Sequence, residues 1–311
     1  MRSSWRSPRA AVGPSTRNER HPLIDFLQLT AAGLSQGSVY ALLAVGLIAT
    51  YTVRHVVNIA QGDYATLAGL GSISLVTAGL PLPVAILIAL VSVTLASVLI
   101  ERLVISRVKN LTTLVSIILT LGVSTLLQAI MLLIWGAEGR RLPAFPGSDL
   151  NLGGVSIRSQ ELWMLGALVV VGGGVLLFYE KTRWGKALRA SAEQPVAARI
   201  VGISPAVASV IAFAIAGFVG AAAGVVSSPI YLSIWSGGLL LGLKGFVAAV
   251  LGGLVSFRAA IVGALLLGII ESYVAGYVAS GWKDAVAFFI LIIVLIIRPA
   301  GLVLRPNAVR V

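Results

Sequence analysis

Long apolar runs separated by short polar loops make up most of the chain. They predict nine membrane-spanning helices, at 26–50, 57–79, 83–104, 112–135, 161–179, 205–228, 240–256, 259–279 and 284–298. A helix needs about 20 apolar residues to cross the hydrocarbon core, and it satisfies its own backbone hydrogen bonds in lipid. No stretch shows the polar–apolar alternation of a membrane β-barrel. The pattern predicts an all-α, polytopic transmembrane bundle of about eight to nine spans, one of them broken or re-entrant.

Polar termini frame a single membrane domain. The opening stretch, MRSSWRSPRAAVGPSTRNERHP, is rich in arginine, and the first apolar run is full length and lacks the cleavage site of a signal peptide. We predict a polar tail over 1–24, a transmembrane domain over 25–305 and a C-terminal tail over 306–311. The longest polar breaks inside the domain are 136–160 and 180–204.

The composition agrees with a membrane protein and excludes several other classes. Of the 311 residues, 58% are apolar and 11% are charged, against about 25% charged in soluble domains. The net charge of +12 lies in short loops, which indicates membrane topology and not a nucleic-acid surface. The absence of cysteine excludes disulfides, thiol catalysis and cysteine-based zinc sites. The two histidines, His21 and His55, are isolated and fit no metal spacing.

Lysine and arginine predict which loops are cytoplasmic. With 180–204 inside, thirteen basic residues fall inside and only Arg140, Arg141, Arg158 and Lys283 fall outside, which is a strong positive-inside bias. The five arginines of the N-terminal tail then also fall outside. Either the tail is translocated, or one crossing within 51–80 is miscounted.

Small residues predict where helices approach each other closely. Gly33 and Gly37 are four residues apart in GLSQG, and Gly220 and Gly224 are four apart in GAAAG. Small residues at this spacing let helix backbones pack closely in lipid. They predict a packed bundle without indicating a cargo.

Three ionisable residues, Asp63, Lys244 and Glu271, fall inside predicted spans. Charges there are costly and usually face a cavity or a partner, so we predict a polar lining to a central pathway, with Lys244 paired to an acid. The alternatives are that Asp63 and Glu271 lie near water at span ends, or that an ion pair only fixes helix register.

The segment NIAQGDY places several polar groups in an otherwise apolar region. Asn58, Gln61, Gly62 and Asp63 suit a broken or re-entrant helix, whose free backbone groups are tolerated beside a cavity. We therefore add these residues to the candidate pathway. The alternative is an ordinary helix start that Asn58 caps.

The polar break TRWGKALRASAEQPVAARIVGIS predicts two short helices. The first covers Gly185 to Ala192, and the second begins at Pro195, which suits a first helical residue, and ends before Gly202. Val196 and Ile200 recur at helical spacing on the second helix. Such an element either lies against lipid headgroups or docks a cytoplasmic protein.

No catalytic or nucleotide-binding arrangement is present in the sequence. The stretch GGLLLGLKGF resembles a phosphate-binding loop, but Leu243 stands where the lysine should be and Lys244 follows one position late. We predict that the chain is not an enzyme and holds no cofactor. Any energy from ATP must come from another chain.

Five blocks, in order across about residues 30–305, resemble the branched-chain amino-acid ABC transporter permeases, in particular the H-type inner-membrane subunit. They are GLSQGSVYALLAVGL, VVNIAQGDYATLAG, the 182–204 stretch, GLKGFVAAVLGGLVSFRAAIVGALLLGIIES and RPAGLVLR. The resemblance implies that 180–204 holds the coupling loop, whose short helix sits in a groove of the ATPase subunit. The loop residues to which this role is assigned are Arg183, Gly185, Lys186, Arg189, Glu193, Ala197, Arg199 and Gly202.

The resemblance implies a bacterial inner-membrane permease subunit of an ATP-driven importer for branched-chain amino acids, working by alternating access. Its implied partners are a second homologous permease or another copy of itself, two ATP-binding subunits and an extracytoplasmic substrate-binding protein. Ile59 replaces a usual Phe, Gln61 stands where His is common, and Pro195 is atypical. These departures leave the cargo open, because related permeases carry urea or short amides. The alternative is a self-sufficient channel or secondary carrier for a small polar solute, in which the 182–204 stretch has no role.

Overall fold

Helices form almost all of the protein in the computed structural model, which describes residues 22–108, 112–200, 202–254 and 256–297. The helices are α1 (Pro22–Arg54), α2 (Gln61–Thr77), α3 (Leu82–Leu103), α4 (Thr113–Trp135), α5 (Ser159–Ala167), α6 (Gly173–Lys181), α7 (Arg183–Glu193), α8 (Pro195–Ile200), α9 (Pro205–Ser227), α10 (Gly237–Leu251), α11 (Phe257–Tyr273) and α12 (Lys283–Ile297). A two-stranded antiparallel hairpin, β1 (Leu150–Leu152) and β2 (Val155–Ile157), lies in the 136–160 break.

Seven helical segments within the described residues are long and apolar enough to cross a membrane, so the predicted polytopic bundle is confirmed. They are Pro22–Arg54, Leu82–Arg107, Thr113–Trp135, Ser159–Lys181, Pro205–Ser227, Phe257–Val278 and Ser280–Ile297. The predicted spans 57–79 and 240–256 are instead the short helices α2 and α10, of 17 and 15 residues. At about 1.5 Å per residue, neither reaches across the ~30 Å hydrocarbon core.

Most of the chain between α1 and α2 is buried, and none of it is helical. Val56, Asn58 and Ala60 are each 0–1% exposed, and residues 55–60 contain no helix. This is the predicted broken helix. The alternative of a helix start capped by Asn58 is wrong, because the residue that precedes α2 is Ala60 and no side chain caps it.

The two short helices begin next to each other inside the bundle. A Cβ built on Gly62 of α2 would lie 1.9 Å from the carbonyl oxygen of Gly238 and 2.4 Å from the amide nitrogen of Gly242, both on α10. All three glycines are buried. The positive ends of two helix dipoles therefore meet in the interior.

Glycines form the closest helix contacts, as the small-residue spacing predicts. A Cβ on Gly37 of α1 would lie 2.8 Å from the carbonyl oxygen of Ala264 on α11, and one on Gly268 would lie 2.3 Å from that of Gly33. The contact runs antiparallel along the two helices. A Cβ on Gly224 of α9 would lie 1.9 Å from the carbonyl oxygen of Ala65 on α2. These approaches hold α1, α2, α9 and α11 together at the centre.

Ion pairs mark one end of the bundle, and the hairpin marks the other. Arg54 and Glu101 join the ends of α1 and α3 at 3.5 Å, and Arg258 at the start of α11 lies 2.7 Å from Glu180 at the end of α6. The helices α7 and α8 follow α6 at this end. The start of α1 lies at the opposite end, where Ile24 contacts the hairpin turn at Gly154. Four candidate spans precede α7, and the broken segment 55–77 makes one further crossing, because α1 begins at the end opposite to α7.

The termini differ slightly from the prediction where they are described. Helix α1 begins at Pro22, inside the predicted tail 1–24. The rest of that tail, the block RPAGLVLR and the C-terminal tail 306–311 lie outside the described residues.

We expect Gly268→Ala to lower the free energy of unfolding by about 1–3 kcal/mol, because the added methyl group meets backbone and not a movable side chain. Gly122→Ala on α4 is the matched control, since a Cβ there meets no atom within 4 Å. Replacing that helical glycine should be neutral or stabilise by up to about 1 kcal/mol. Unfolding of both purified variants in the same detergent measures the difference, and equal stabilities would contradict the close contact.

Candidate functional site

Lys244 lies at the centre of an ion network in which Lys244 and Glu271 are buried and the Asp284 side chain is 50% exposed. Its Nζ is 3.0 Å from Oε1 of Glu271 on α11 and 2.6 Å from Oδ1 of Asp284 on α12. It is also 3.2 Å from the hydroxyl of Tyr40 on α1. Lys244 is 5% exposed and Glu271 0%, so Glu271 does not lie near water at a span end. The network connects four helices.

Two further side chains complete this network. Lys283 donates to Oε1 of Gln36 at 2.7 Å and lies 3.9 Å from Glu271. Gln36 donates to Glu271 at 3.2 Å and also to the Tyr40 hydroxyl, which itself donates to Glu271 at 2.7 Å. The two lysines balance Glu271 and Asp284, so the network has no net charge. Removing one member of a buried pair leaves an uncompensated charge, which typically costs about 3–5 kcal/mol.

A cavity of about 230 Å³ lies against the network, on the side of the start of α1. Its walls are formed by Gln36, Val39, Tyr40, Ala65, Thr66, Gly224, Ser227, Tyr231, Leu232, Ser233, Gly237, Leu240, Leu241, Lys244 and Lys283. Among these described residues the ionised side chains are the two lysines. Drug-sized pockets run from about 300 to 1,000 Å³, so this cavity suits a small solute with an anionic group and an apolar part.

Helix α10 begins at Gly237 on the wall of this cavity. A helix start carries partial positive charge and unpaired N–H groups. It therefore favours the same anionic group as Lys244 and Lys283. In transporters, half-helices that begin inside the protein are a typical site for anionic groups of the cargo.

Asp63 belongs to a separate cluster. Its carboxylate accepts hydrogen bonds from Ser124 and, at 3.2 Å, from Gln128, both on α4. It is 0% exposed, and a Cβ on Gly238 would lie 2.4 Å from its Oδ1. The carboxylate thus sits where the starts of α2 and α10 meet, and those helix ends stabilise its charge. It does not line the cavity in this conformation.

Asn58, Gln61 and Gly62 lie deeper in the protein than the cavity. Gln61 donates to the carbonyl oxygen of Ala216 at 2.9 Å and packs against Gly46, further along α1 than Tyr40. Nδ2 of Asn58 and Oε1 of Gln61 have no hydrogen-bond partner among the described residues. An unpaired buried polar group costs about 1–3 kcal/mol. We call these residues the polar seam. In this conformation the seam is closed to water, and two of its polar atoms lack hydrogen-bond partners among the described residues.

The 182–204 stretch forms the two predicted helices. Thr182 caps α7, accepting from the Gly185 amide at 3.0 Å, so this helix begins two residues earlier than predicted and ends at Glu193. Helix α8 begins at Pro195 and ends at Ile200. Gly202 follows with a φ of +84°, the left-handed conformation that commonly terminates helices.

One face of this helix pair is fixed to the bundle and the other is free. A Cβ on Gly185 would lie 2.2 Å from the carbonyl oxygen of Phe178, and Arg189 donates to that of Tyr179. Val196 and Ile200, one turn apart on α8, are 73% and 82% exposed. The remaining exposed residues assigned to this loop are Arg183, Lys186, Glu193, Ala197, Arg199 and Gly202. The pair presents an apolar ridge within a basic surface.

Sequence reasoning missed several members of the site. It does not identify Asp284 or Tyr40, and it places Lys283 only among the basic residues outside the membrane. Gln36 and Tyr40 are four residues apart and so share one face of α1, which was the available signal. Nothing local indicates that Asp284 reaches Lys244.

Comparison with known proteins places this geometry in a family. Residues 29–295 match the family described as "Branched-chain amino acid transport system / permease component". The chain is 30% identical to the high-affinity branched-chain amino acid transport system permease protein BraD of Pseudomonas aeruginosa, over 93% of this chain and 99% of BraD. It is 30% identical to LivH of Escherichia coli K12, over 92% of this chain and 98% of LivH.

A more distant relative shows the same correspondence. The probable branched-chain amino acid transport permease protein LivH of Methanocaldococcus jannaschii is 28% identical, over 86% of this chain and 87% of that protein. The matches extend from α1 to α12 and so include the ion network, the cavity and the α7–α8 pair. The chain is therefore a multi-pass membrane protein that belongs to the branched-chain amino acid permease family.

Proposed function

We propose that the chain is the membrane-spanning subunit of an ATP-driven importer for branched-chain amino acids in a bacterial inner membrane. The observation that carries the proposal is the placement of two features at opposite ends of one bundle. A cavity with two lysines lies toward one end, and an exposed helix pair projects at the other. The first suits cargo entry, and the second suits a cytoplasmic motor.

The cavity chemistry supports an amino-acid cargo. Lys244, Lys283 and the start of α10 offer positive charge to a carboxylate. Val39, Leu240 and Leu241 on the same walls offer apolar surface to a branched side chain. The relatives BraD and LivH are named as permeases of branched-chain amino acid transport systems, which agrees with this cargo.

The α7–α8 pair supports an external source of energy. The chain carries no phosphate-binding loop, so ATP is hydrolysed by two separate subunits that bind the exposed ridge at Val196 and Ile200. Helix α7 packs against α1, α6 and α9, and α1 and α9 form walls of the cavity. Movement of α7 therefore reaches the cargo site through packed helices.

The complete importer requires further chains. A second homologous permease or another copy of this chain forms the other half of the pathway, and an extracytoplasmic binding protein delivers cargo to the outer end. ATP binding shifts the complex between outward- and inward-facing states, and the cargo must bind these states with different affinity for energy to be transmitted.

The polar seam provides the inner half of the route. Asn58, Gln61 and Gly62, with the Asp63 cluster beside them, lie between the cavity and the α7–α8 end, and the unpaired amide atoms of Asn58 and Gln61 are costly while buried. Opening toward the cytoplasm hydrates these groups and receives the cargo. The seam is the closed gate of the outward-facing state.

Lys244→Met alone is expected to reduce both the amount of folded protein and uptake, because Glu271 loses its partner in the interior. The double variant Lys244→Met with Glu271→Gln restores folding by removing both charges. If Lys244 binds cargo, uptake of labelled leucine by the double variant stays at least about tenfold below wild type. Uptake that recovers together with folding would show that the pair is only structural.

Ile200→Asp is expected to abolish co-purification with the ATP-binding subunits and ATP-dependent uptake, because it places a charge on the apolar ridge. The side chain is 82% exposed, so the isolated chain should unfold at the wild-type temperature. Ile200→Leu is the matched control and should retain both activities. Full uptake by Ile200→Asp, or wild-type uptake without any ATPase subunit, would support the self-sufficient carrier.

The absence of native cysteine makes the seam testable by labelling. Asn58→Cys in the assembled transporter is expected to react at least about tenfold faster with a water-soluble thiol reagent during ATP turnover than at rest, because opening toward the cytoplasm exposes it to water. Val45→Cys, at a position buried in the core, is the control. Ala216→Cys cannot serve, because the carbonyl group of Ala216 accepts a hydrogen bond from Gln61. Equal rates at Asn58→Cys with and without ATP would reject the gate.

A further inference from the structure

A cavity of about 250 Å³ lies behind α7, away from the cargo site and its gate. Its walls are formed by Thr52, Leu176, Tyr179, Glu180, Arg189, Ser256, Phe257 and Arg258. They come from α1, α6, α7, α11 and the residue before α11. We name it the rear cavity. Neither transport nor ATPase docking, as proposed above, uses it.

Two hydroxyl groups on the walls of the rear cavity have no partner. The hydroxyls of Tyr179 and Thr52 are buried and make no hydrogen bond within the described part of the chain, and Tyr179 as a whole is 1% exposed. Buried polar groups in native proteins nearly always have a partner, and leaving one without a partner is destabilising. A bound group with oxygen acceptors would satisfy these hydroxyls.

The charges around the rear cavity indicate that this group is an anion. Arg189 and Arg258 lie on its walls together with one acid, Glu180, so these three groups carry one net positive charge. Glu180 is 2.7 Å from Arg258 and competes for it. Helix α11 begins at Phe257 on the same wall, and a helix start favours an anion.

The position of the rear cavity indicates where the anion comes from. It opens between helices at the α7–α8 end, beside the lipid-facing surface of α6, where Leu177 is 60% exposed. Leu176 and Phe257 give it apolar walls. Basic pockets between membrane helices on the cytoplasmic side commonly hold lipid headgroups.

We propose that the rear cavity binds a phosphate group, supplied by the headgroup of an anionic phospholipid. Arg189 and Arg258 contact the phosphate oxygens, and the Tyr179 hydroxyl donates to one of them. The lipid then joins α6, α7 and α11 beneath the membrane surface. It holds the base of the α7–α8 pair in the position from which that pair meets its motor.

The test measures binding by the full-length chain and does not depend on transport. Wild type and variants are placed in phosphatidylcholine nanodiscs with increasing phosphatidylglycerol, and the thermal unfolding midpoint is followed. Native mass spectrometry of the released protein counts retained lipid. A parallel arm adds inorganic phosphate in detergent.

Tyr179→Phe is expected to weaken phosphatidylglycerol binding about tenfold, since a hydrogen bond to a charged group is lost. In pure phosphatidylcholine the same variant is expected to be as stable as wild type or more stable, because an unpartnered hydroxyl is removed. A purely structural hydroxyl gives no lipid-dependent difference. Tyr277→Phe, on an exposed tyrosine at the opposite end, is the matched control.

Two variants of exposed or half-exposed side chains keep the test open even if Tyr179→Phe fails to fold. Arg258→Gln is expected to weaken binding about tenfold, whereas Glu180→Gln is expected to tighten it by removing the competing carboxylate. If inorganic phosphate displaces phosphatidylglycerol from wild type, the rear cavity binds a phosphate group but takes it from solution and not from a lipid. Unchanged lipid affinity in Tyr179→Phe, Arg258→Gln and Glu180→Gln would overturn the proposal.

Discussion

The ion pair of Lys244 and Glu271 is buried, with the two residues 5% and 0% exposed, so bulk water solvates neither charge well. Each charge therefore requires the other, and this requirement sets the positions of the helices around them. Tyr40 and Gln36 on α1 both donate to Oε2 of Glu271, and Asp284 on α12 lies 2.6 Å from the ammonium group of Lys244. The network thus fixes α1, α10, α11 and α12 at the depth where the cavity opens.

The same scarcity of water constrains how the two short helices, α2 and α10, can begin inside the protein. A chain that ends a helix inside lipid leaves N–H groups without partners. Here the starts of α2 and α10 meet, and the Asp63 carboxylate lies between them. The start of α10 also lies on the wall of the cavity, where it adds to the positive charge of the lysines. A helix that begins inside the protein thus leaves backbone N–H groups free, whereas a continuous helix would use them for its own hydrogen bonds.

Most of the fold could be predicted from the sequence, because membrane spans, close glycine contacts and helix stops are local signals. The apolar runs predict the ends of most spans to within a few residues, and the GLSQG and GAAAG motifs mark two of the close helix contacts. The short lengths of α2 and α10 could not be predicted. In the case of α10, GGLLLGLKGF and the residues that follow it are as apolar as a full span. The hairpin at 150–157 was also missed, because its strands are only three residues long.

The candidate site could be predicted only in part. An ionisable residue inside a span signals a partner but does not name it, so Lys244 and Glu271 were found, whereas the contacts with Asp284 and Tyr40 depend on how distant helices pack. Asp63 and Lys244, grouped by sequence, fall into separate clusters. The rear cavity combines residues from α1, α6, α7 and α11 that share no motif.

The zero net charge of the network around Lys244 has an electrical consequence. A single charge that crosses the whole membrane field gains or loses about 2.3 kcal/mol per 100 mV. Two lysines moving together with two carboxylates transfer no net charge, so the membrane voltage does no work on that rearrangement. A change in the depth of this network would therefore cost the same free energy with or without a membrane potential.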